Sequence, residues 1–319
     1  MNFNYLGNTG IQVSSLCFGT MSFGGDADEE TSLEMYKLCR NKGINFFDCA
    51  NVYQKGLSEE ILGKCIKGHR NEIVLTSKVN GPMSDNINDK GNSRRNLRLS
   101  LEASLKRLGT DYLDFYFLHR FDDNTVLEET LETMDQFVRE GKILYPAVSN
   151  FAAWQVMKAQ GVSMARGLSS IQCIQPMYNL LKRQAEVELL PMAQSESMGV
   201  ICYSPMAGGL LSGKYRTKEN TGRFSSNKAY QSRYRAPSNP KIVENYMQLA
   251  EELGYHPVSL DIAWTGGHPA VTAPIIGARN SFQLETALGA ADINMTDELR
   301  QRISELSPTP PPATDRSEV

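Results

Sequence analysis

Short apolar segments alternate along the chain with amphipathic segments of helical spacing. Eight of the apolar segments are hydrophobic at consecutive positions, which indicates β-strands covered on both faces, as in a parallel sheet. Most of them begin about 30 residues after the previous one, the length of one βαβ unit. These predicted strands cover residues 16–20, 45–50, 73–78, 113–119, 143–150, 171–176, 200–205 and 272–277.

The segments between the strands have the spacing of helices that bury one face. A stripe of leucines predicts a helix over residues 94–108, and Gly109 is expected to end it. Similar patterns predict helices over residues 29–42, 126–139 and 243–253. Eight strand–helix units close a (β/α)8 barrel, whereas the rival, a doubly wound open sheet, usually has a G-x-G-x-x-G turn after an early strand. The chain has no such turn, so we predict an α/β fold of the (β/α)8 barrel type.

Three segments lie outside this regular alternation. Residues 1–14 are expected to form an N-terminal hairpin with its turn near Asn8-Thr9-Gly10, as part of a single barrel domain over residues 1–306. The proline-rich, polar residues 307–319 are expected to be a flexible tail. A long connection over about 206–240 follows the seventh strand, and connections of this length usually have a function.

Composition narrows the class of protein. The chain has 319 residues and a formal net charge of −3, so no overall positive field attracts nucleic acid or an anionic membrane. A long uncharged stretch, residues 197–213, contains a proline and four glycines and is not typical of a membrane span. The N-terminus lacks the features of a signal peptide. The six cysteines have no metal-ligand spacing and are interpreted as reduced thiols of a cytoplasmic enzyme without a metal.

Ionisable residues occur at the ends of three successive predicted strands, where barrel enzymes carry their catalytic groups. Asp48 ends the second strand and Tyr53 follows it, Lys78 ends the third, and His119 ends the fourth. Each alone has an ordinary structural explanation, but burying all four together is costly and indicates a site. A lysine beside a tyrosine hydroxyl is expected to lower its pKa from about 10. Such a set can give or take a proton at a carbonyl or alcohol oxygen, whereas a hydride must come from a cofactor.

The chain resembles the aldo-keto reductase superfamily over nearly its whole length, and most of all its bacterial reductases and potassium-channel β subunits. The matching segments are residues 43–53, 73–79, 94–120, 148–151, 174–183, 203–215 and 276–284. The resemblance implies an NADPH-dependent oxidoreductase that reduces aldehydes or ketones to alcohols, with a small carbonyl or alcohol compound as its partner. NADH is the alternative cofactor, and the chain leaves open whether it forms a homo-oligomer.

The resemblance also implies a role for each residue of the site. Tyr53 would be the general acid, Lys78 would tune it, Asp48 would hold Lys78, and His119 would orient the carbonyl. Phe23, with Tyr53 and His119, is expected to form an apolar mouth for the substrate. Cofactor contacts are implied at the ends of the strands and in the connections that follow them. These residues are Gly19, Thr20, Met21, Asp48, Ser149, Asn150, Gln175, Tyr203, Ser204, Pro205, Met206, Leu210, Lys214, Gly277, Arg279 and Gln283.

Two features of the residues themselves favour an anionic cofactor. Gly277 precedes a predicted helix that begins near Ser281, and Arg279 offers the forked donor that suits a phosphate. Residues 206–240 carry seven basic residues against one acidic residue, so this connection is either a lid over the cofactor or a solvated loop. The basic residues are Lys214, Arg216, Lys218, Arg223, Lys228, Arg233 and Arg235, and the acidic one is Glu219.

One departure from the family pattern bears on the choice of cofactor. Thr286 and Ala287 stand where the family usually has an acidic residue and an asparagine that touch the adenine, so weaker adenine contacts are expected. Two other functions remain open: a regulatory or interaction subunit that binds the cofactor with weak reductase activity, and a Schiff-base aldolase with Lys78 as nucleophile. Because all four catalytic positions are filled, the enzyme is favoured over the interaction subunit.

Overall fold

Eight parallel strands close a barrel in the computed structural model, which describes residues 1–216, 222, 224 and 227–314. The order around the ring is β10-β3-β4-β5-β6-β7-β8-β9. The predicted (β/α)8 barrel is therefore confirmed, and every predicted strand segment overlaps one of these strands. The barrel strands are β3 (Cys17–Gly19), β4 (Phe46–Asp48), β5 (Val74–Val79), β6 (Leu113–Leu118), β7 (Ile143–Ser149), β8 (Cys173–Gln175), β9 (Gly199–Cys202) and β10 (Ala273–Ile276).

Two short strands before the barrel form an antiparallel hairpin, β1 (Phe3–Tyr5) and β2 (Gln12–Ser14). Leu6 and Val13 of the hairpin are fully buried in an apolar cluster with side chains from inside the barrel, such as Phe46 and Phe115. The hairpin comes so close to the first residue of β9 that a Cβ on Gly7 would lie 2.5 Å from the Gly199 nitrogen. The hairpin therefore closes the end of the barrel at which the strands begin.

Helices surround the barrel and cover the outer face of the strands. The helix over Arg94–Leu108 has its predicted bounds, because the Ser93 side chain accepts a hydrogen bond from Asn96 N–H and Gly109 ends it with φ = 63°. The helix predicted over 243–253 begins earlier, at Asn239, because Pro240 is well suited to a first helical turn. The helices are α1 (Glu29–Asn41), α2 (Leu57–Ile66), α3 (Arg94–Leu108), α4 (Leu127–Arg139), α5 (Ala153–Arg166), α6 (Leu189–Ser195), α7 (Lys228–Arg233), α8 (Asn239–Glu252), α9 (Pro257–Gly266), α10 (Ser281–Leu288) and α11 (Asp297–Ser304).

The long connection after β9 begins with short 3-10 turns at Ala207–Ser212 and Lys214–Arg216 and reaches α7. Lys218, Glu219 and Arg223 of this connection lie outside the described residues, as do residues 315–319 of the tail. The division into one domain over residues 1–306 and a tail stays a prediction. No helix in the described part of the chain is long and apolar enough to span a membrane.

Candidate active site

A cavity of about 770 Å³ opens where the barrel strands end, at the opposite end from the hairpin. This volume lies in the upper part of the range that small-molecule and cofactor sites occupy. Its wall includes side chains from the ends of β4, β7 and β8, the residues that follow β6, β9 and β10, and parts of the connection after β9. The cavity is therefore at the end where barrel enzymes carry their active sites.

Lys78 lies behind the cavity wall and is completely buried. Its Nζ donates to Asp48 Oδ2 at 2.6 Å and to the Cys49 carbonyl at 2.7 Å, and it lies 3.4 Å from the Tyr53 hydroxyl. Burial lowers the pKa of Lys78, but the charge of Asp48 and its hydrogen bond, together with Tyr53, outweigh burial and raise the pKa above its ordinary value. Lys78 is therefore a fixed positive charge next to the tyrosine hydroxyl.

Asp48 has hydrogen-bond partners at both carboxylate oxygens. Oδ2 accepts from Lys78, while Oδ1 accepts from Thr76 Oγ1 at 2.7 Å and from Gln175 Nε2 at 3.0 Å. A buried ion pair stabilises little unless such additional hydrogen bonds satisfy its remaining atoms. Asp48 therefore fixes the position of Lys78 and, through Gln175, connects it to the opposite wall of the site.

Tyr53 begins a tight turn after β4 in which Gln54 and Lys55 both have positive φ, 49° and 53°. This turn brings the Tyr53 side chain to the cavity surface beside Lys78. Burial raises the pKa of Tyr53 to about 12, while the charge of Lys78 opposes this rise. The expectation of a pKa below 10 is wrong because burial outweighs the lysine. At neutral pH the phenol keeps its proton, the form that a general acid needs.

His119 directly follows β6 and lines the cavity next to Tyr53. The two rings meet edge to face, with centroids 6.3 Å apart. Burial, together with the charges of Lys78 and Arg120, lowers the pKa of His119 to about 3. The imidazole is therefore neutral at physiological pH, so it can donate one hydrogen bond and is a poor acid.

Polar side chains at the ends of β7, β8 and β9 form one network. Asn150 has φ = 55° and donates through Nδ2 to the His119 carbonyl at 2.9 Å and to Ser149 Oγ at 3.0 Å. The Tyr203 hydroxyl donates to Asn150 Oδ1 at 2.6 Å. Ser149 Oγ donates to the Gln175 carbonyl, and Gln175 Nε2 is used by Asp48, which leaves Gln175 Oε1 without a partner in the described part of the chain. The structure brings these four predicted residues together at the cavity surface.

The far end of the cavity contains the candidate phosphate site. Ser204, Pro205, Met206, Lys214, Gly277, Arg279 and Gln283 all line it, as do Gly19 and Met21 near the end of β3. The side chain of Gln283 accepts from the Arg279 backbone N–H at 3.2 Å. Arg279 Nε also lies 3.1 Å from Asp26 Oδ2, a contact that the sequence did not indicate.

Besides Lys78, which lies behind the wall, three residues expected in the site do not line the cavity. Phe23 is fully buried and packs against Phe18, with ring centroids 5.7 Å apart, so its assignment to the substrate mouth is wrong. Thr20 is also fully buried, and its Oγ1 donates to the Asp48 carbonyl. Leu210 packs against the apolar core. In their place the cavity is lined by residues that the sequence analysis did not assign to cofactor or substrate, among them Arg120, Tyr230, His256 and Phe282.

Of the basic residues counted in the connection, the described ones are divided between cavity and surface. Lys214 and Arg233 line the cavity, whereas Arg216 pairs with Glu244 at 2.9 Å on the surface. Part of the connection therefore faces the cavity with positive charge.

Comparison with known proteins shows the family to which the chain belongs. The sequence profile of the Aldo/keto reductase family matches residues 15–308. The chain is 39% identical over 323 residues to the uncharacterized oxidoreductase YrpG of Bacillus subtilis, covering 97% of both chains. It is 34% identical over 308 residues to a probable voltage-gated potassium channel subunit beta of Arabidopsis thaliana, covering 92% of both. It is 32% identical over 319 residues to the norsolorinic acid reductase of Aspergillus flavus, covering 94% of this chain and 79% of the relative.

The chain belongs to the aldo/keto reductase family. Family membership and relatives named as oxidoreductases together support a general oxidoreductase function.

Proposed function

We propose that the chain is an NADPH-dependent reductase that converts aldehydes or ketones to alcohols, with Tyr53 as the proton donor. The observation that carries this proposal is the completely buried Lys78, paired with Asp48 and placed 3.4 Å from a phenol that faces the cavity. A cation fixed at this position has one evident chemical use, to stabilise the negative charge that the phenol acquires when it gives up its proton.

The residues along the cavity suit a nicotinamide dinucleotide. Gln175 Oε1 has no protein partner among the described residues and can accept from the carboxamide, and the ring of Tyr203 offers a face for stacking. Lys214 and Arg279 would hold the phosphates, because both are cationic and line the cavity. Gly208 and Gly209 also line the cavity next to these residues. When bound, NADPH supplies the hydride for the carbonyl carbon.

The protein side chains handle the proton in the proposed reduction. The substrate carbonyl lies between Tyr53 and His119, and the neutral imidazole donates a hydrogen bond to its oxygen. As negative charge develops on that oxygen, Tyr53 transfers its phenolic proton to it. Lys78 stabilises the phenolate that is left, and Asp48 keeps Lys78 in place throughout. In the reverse direction the phenolate would take the proton from the alcohol.

The two alternatives from the sequence fit this geometry less well. A Schiff-base lysine must be uncharged and reachable, whereas Lys78 is buried, has a raised pKa and donates to two oxygens. Similarity to a protein named as a potassium channel β subunit is the observation in favour of a regulatory role. The filled His119 position, next to the complete set of Tyr53, Lys78 and Asp48, favours turnover over sensing alone.

Replacing Tyr53 by phenylalanine tests the proposal, because it removes the acidic proton and keeps the ring. Positioned acid catalysis is worth about 10²–10⁴-fold, so kcat for an aldehyde should fall by that factor while the Kd for NADPH, measured by fluorescence titration, stays near wild type. Tyr255→Phe is a matched control, since Tyr255 is exposed and lies outside the cavity wall. A Tyr53→Phe enzyme with near-normal kcat would contradict the role of Tyr53 as acid.

A further inference from the structure

Two arginines on the cavity wall have no carboxylate partner among the residues that the structure describes. Arg120 follows His119 at the end of β6, and Arg233 ends α7. Neither guanidinium lies within 4.0 Å of an acidic side chain in the part of the chain that the structure describes. Asp48 is the acidic residue among the described residues of the cavity wall, and Lys78 already neutralises it. The arginines therefore leave uncompensated positive charge facing the cavity, which attracts an anion.

The topology of the barrel separates Arg120 from the candidate phosphate site. In the ring of eight strands, β6 stands directly opposite β10, with three strands between them on either side. Arg279 follows β10, whereas Arg120 follows β6, so the two guanidinium groups start from opposite walls of the cavity. Arg279 can bind the adenosine end of a dinucleotide, whereas Arg120 lies on the opposite side of the cavity from that end.

Both arginines act on the side chains that would surround the reacting carbonyl. Burial raises the pKa of Tyr203, and the charges of Arg233 and Arg120 oppose that rise. Arg120 also contributes to the lowered pKa of His119, after burial and Lys78. Arg233 is held in place by the ring of Tyr230, whose centroid lies 5.0 Å from its Cζ. Arg120 and Arg233 thus line the same cavity and both act on Tyr203, although they come from two separate parts of the chain.

We propose that Arg120 and Arg233 form a binding site for an anionic group of the substrate, so that the preferred substrates are carbonyl compounds that also carry a carboxylate or a phosphate. This inference rests on the proposed carbonyl reduction. Guanidinium groups bind both anions in a two-pronged manner, which is the shared chemistry. In the reaction the hydride from NADPH goes to the carbonyl carbon and the proton from Tyr53 to its oxygen. The anionic group is unchanged and serves to orient the substrate.

Three para-substituted benzaldehydes, two anionic and one neutral, test the site. They are 4-carboxybenzaldehyde, 4-formylphenyl phosphate and the neutral 4-carbamoylbenzaldehyde. A charge-assisted hydrogen bond of ordinary strength changes a binding constant by about 10- to 150-fold. The wild-type kcat/KM for an anionic aldehyde should therefore be about tenfold or more above that for the amide. Arg120→Gln should bring that ratio close to one, and Arg233→Gln should reduce it, while kcat/KM for the amide stays within about threefold. The anion with the higher kcat/KM identifies which source the site takes.

Arg235→Gln is the matched control, because Arg235 is an exposed arginine two residues from Arg233 and outside the cavity wall. Equal kcat/KM for anionic and neutral aldehydes in the wild type would overturn the inference. So would an Arg120→Gln variant that slows all three alike, or an Arg233→Gln variant that only raises the Kd for NADPH.

Binding of the alcohol product provides a readout that needs no turnover. Calorimetric titration with 4-(hydroxymethyl)benzoate should show binding that weakens about tenfold in Arg120→Gln and also weakens with added salt. If none of the aldehydes is reduced, the proposed reductase function fails, and this titration alone then decides whether the anion site exists. Binding that is unchanged in both variants would overturn the anion site.

Discussion

Removal of the Arg279 guanidinium is expected to weaken NADPH much more than NADH. The side chain follows β10 at the candidate phosphate site, about a third of it is exposed, and its Nε lies 3.1 Å from Asp26 Oδ2. The two terminal nitrogens of the guanidinium have no hydrogen-bond partner in the described part of the chain and can bind the 2′-phosphate that distinguishes NADPH from NADH.

The expected size follows from the exposure of the group. A charge-assisted hydrogen bond contributes about 1.5–3 kcal/mol, and solvent screening at a site this open favours the lower value. A loss of about 1.5 kcal/mol raises the Kd for NADPH by about tenfold. NADH lacks the 2′-phosphate, so its Kd should change by less than about twofold. The NADPH preference should also weaken as salt is added to the wild type.

Substitution of Asp26 is expected to have the opposite effect on NADPH affinity, because Asp26 contacts the same guanidinium. Its carboxylate lies 3.1 Å from Arg279 Nε and so cancels part of the positive charge that the phosphate would meet. Asp26→Asn should therefore tighten NADPH by a few-fold and leave NADH unchanged. Fluorescence titration of both nucleotides measures the effect in each variant. Equal losses of NADPH and NADH in Arg279→Ala would refute the phosphate contact, and weaker NADPH binding in Asp26→Asn would refute the screening by Asp26.

Two further predictions concern pH and the hairpin. The pKa of His119 is about 3 and that of Tyr53 about 12, so neither residue changes protonation between about pH 6 and about pH 9. The single-turnover rate of reduction should therefore be constant over this range, and an inflection near pH 6.5 would show that His119 titrates normally. Gly7→Ala should lower the free energy of unfolding, measured in urea, by clearly more than Gly10→Ala does. Both glycines have positive φ, so each substitution costs about 1–2 kcal/mol of backbone strain, but only a Cβ on Gly7 would also meet the Gly199 backbone. Equal losses in the two variants would show that the backbone near Gly199 moves away without cost.

The sequence predicted the barrel well because strand burial leaves a local signal. Consecutive apolar residues around Phe46 and Phe115 show that both faces of a strand are covered, and this needs no knowledge of what covers them. The positions of Asp48, Lys78 and His119 at strand ends followed from the same pattern. The order of the strands along the chain was therefore enough to predict that these three side chains lie at the same end of the barrel.

The parts that could not be predicted depend on contacts between distant residues or on the degree of burial. Asp26 and Arg279 are far apart in sequence, and nothing local to either indicates their contact. Phe23 lies in a loop after β3, and its sequence position is compatible both with the cavity mouth and with the core. The structure shows that it packs against Phe18 in the core. The pKa of Tyr53 depends on the balance between burial and Lys78, and only the structure gives the extent of burial.

The N-terminal hairpin ties the start of the chain to its later parts and thereby sets a condition on synthesis. Asn4 donates to the Thr272 carbonyl, 268 residues further on, and the Tyr145 hydroxyl donates to the Thr9 carbonyl. β3 likewise pairs with β10, so the ring cannot close before residues 273–276 have left the ribosome. Until then Leu6 and Val13 lack their final partners, and the first apolar residues made are among the last to be covered. Nascent chains should therefore bind chaperones through this hairpin for most of the time that the protein takes to be translated.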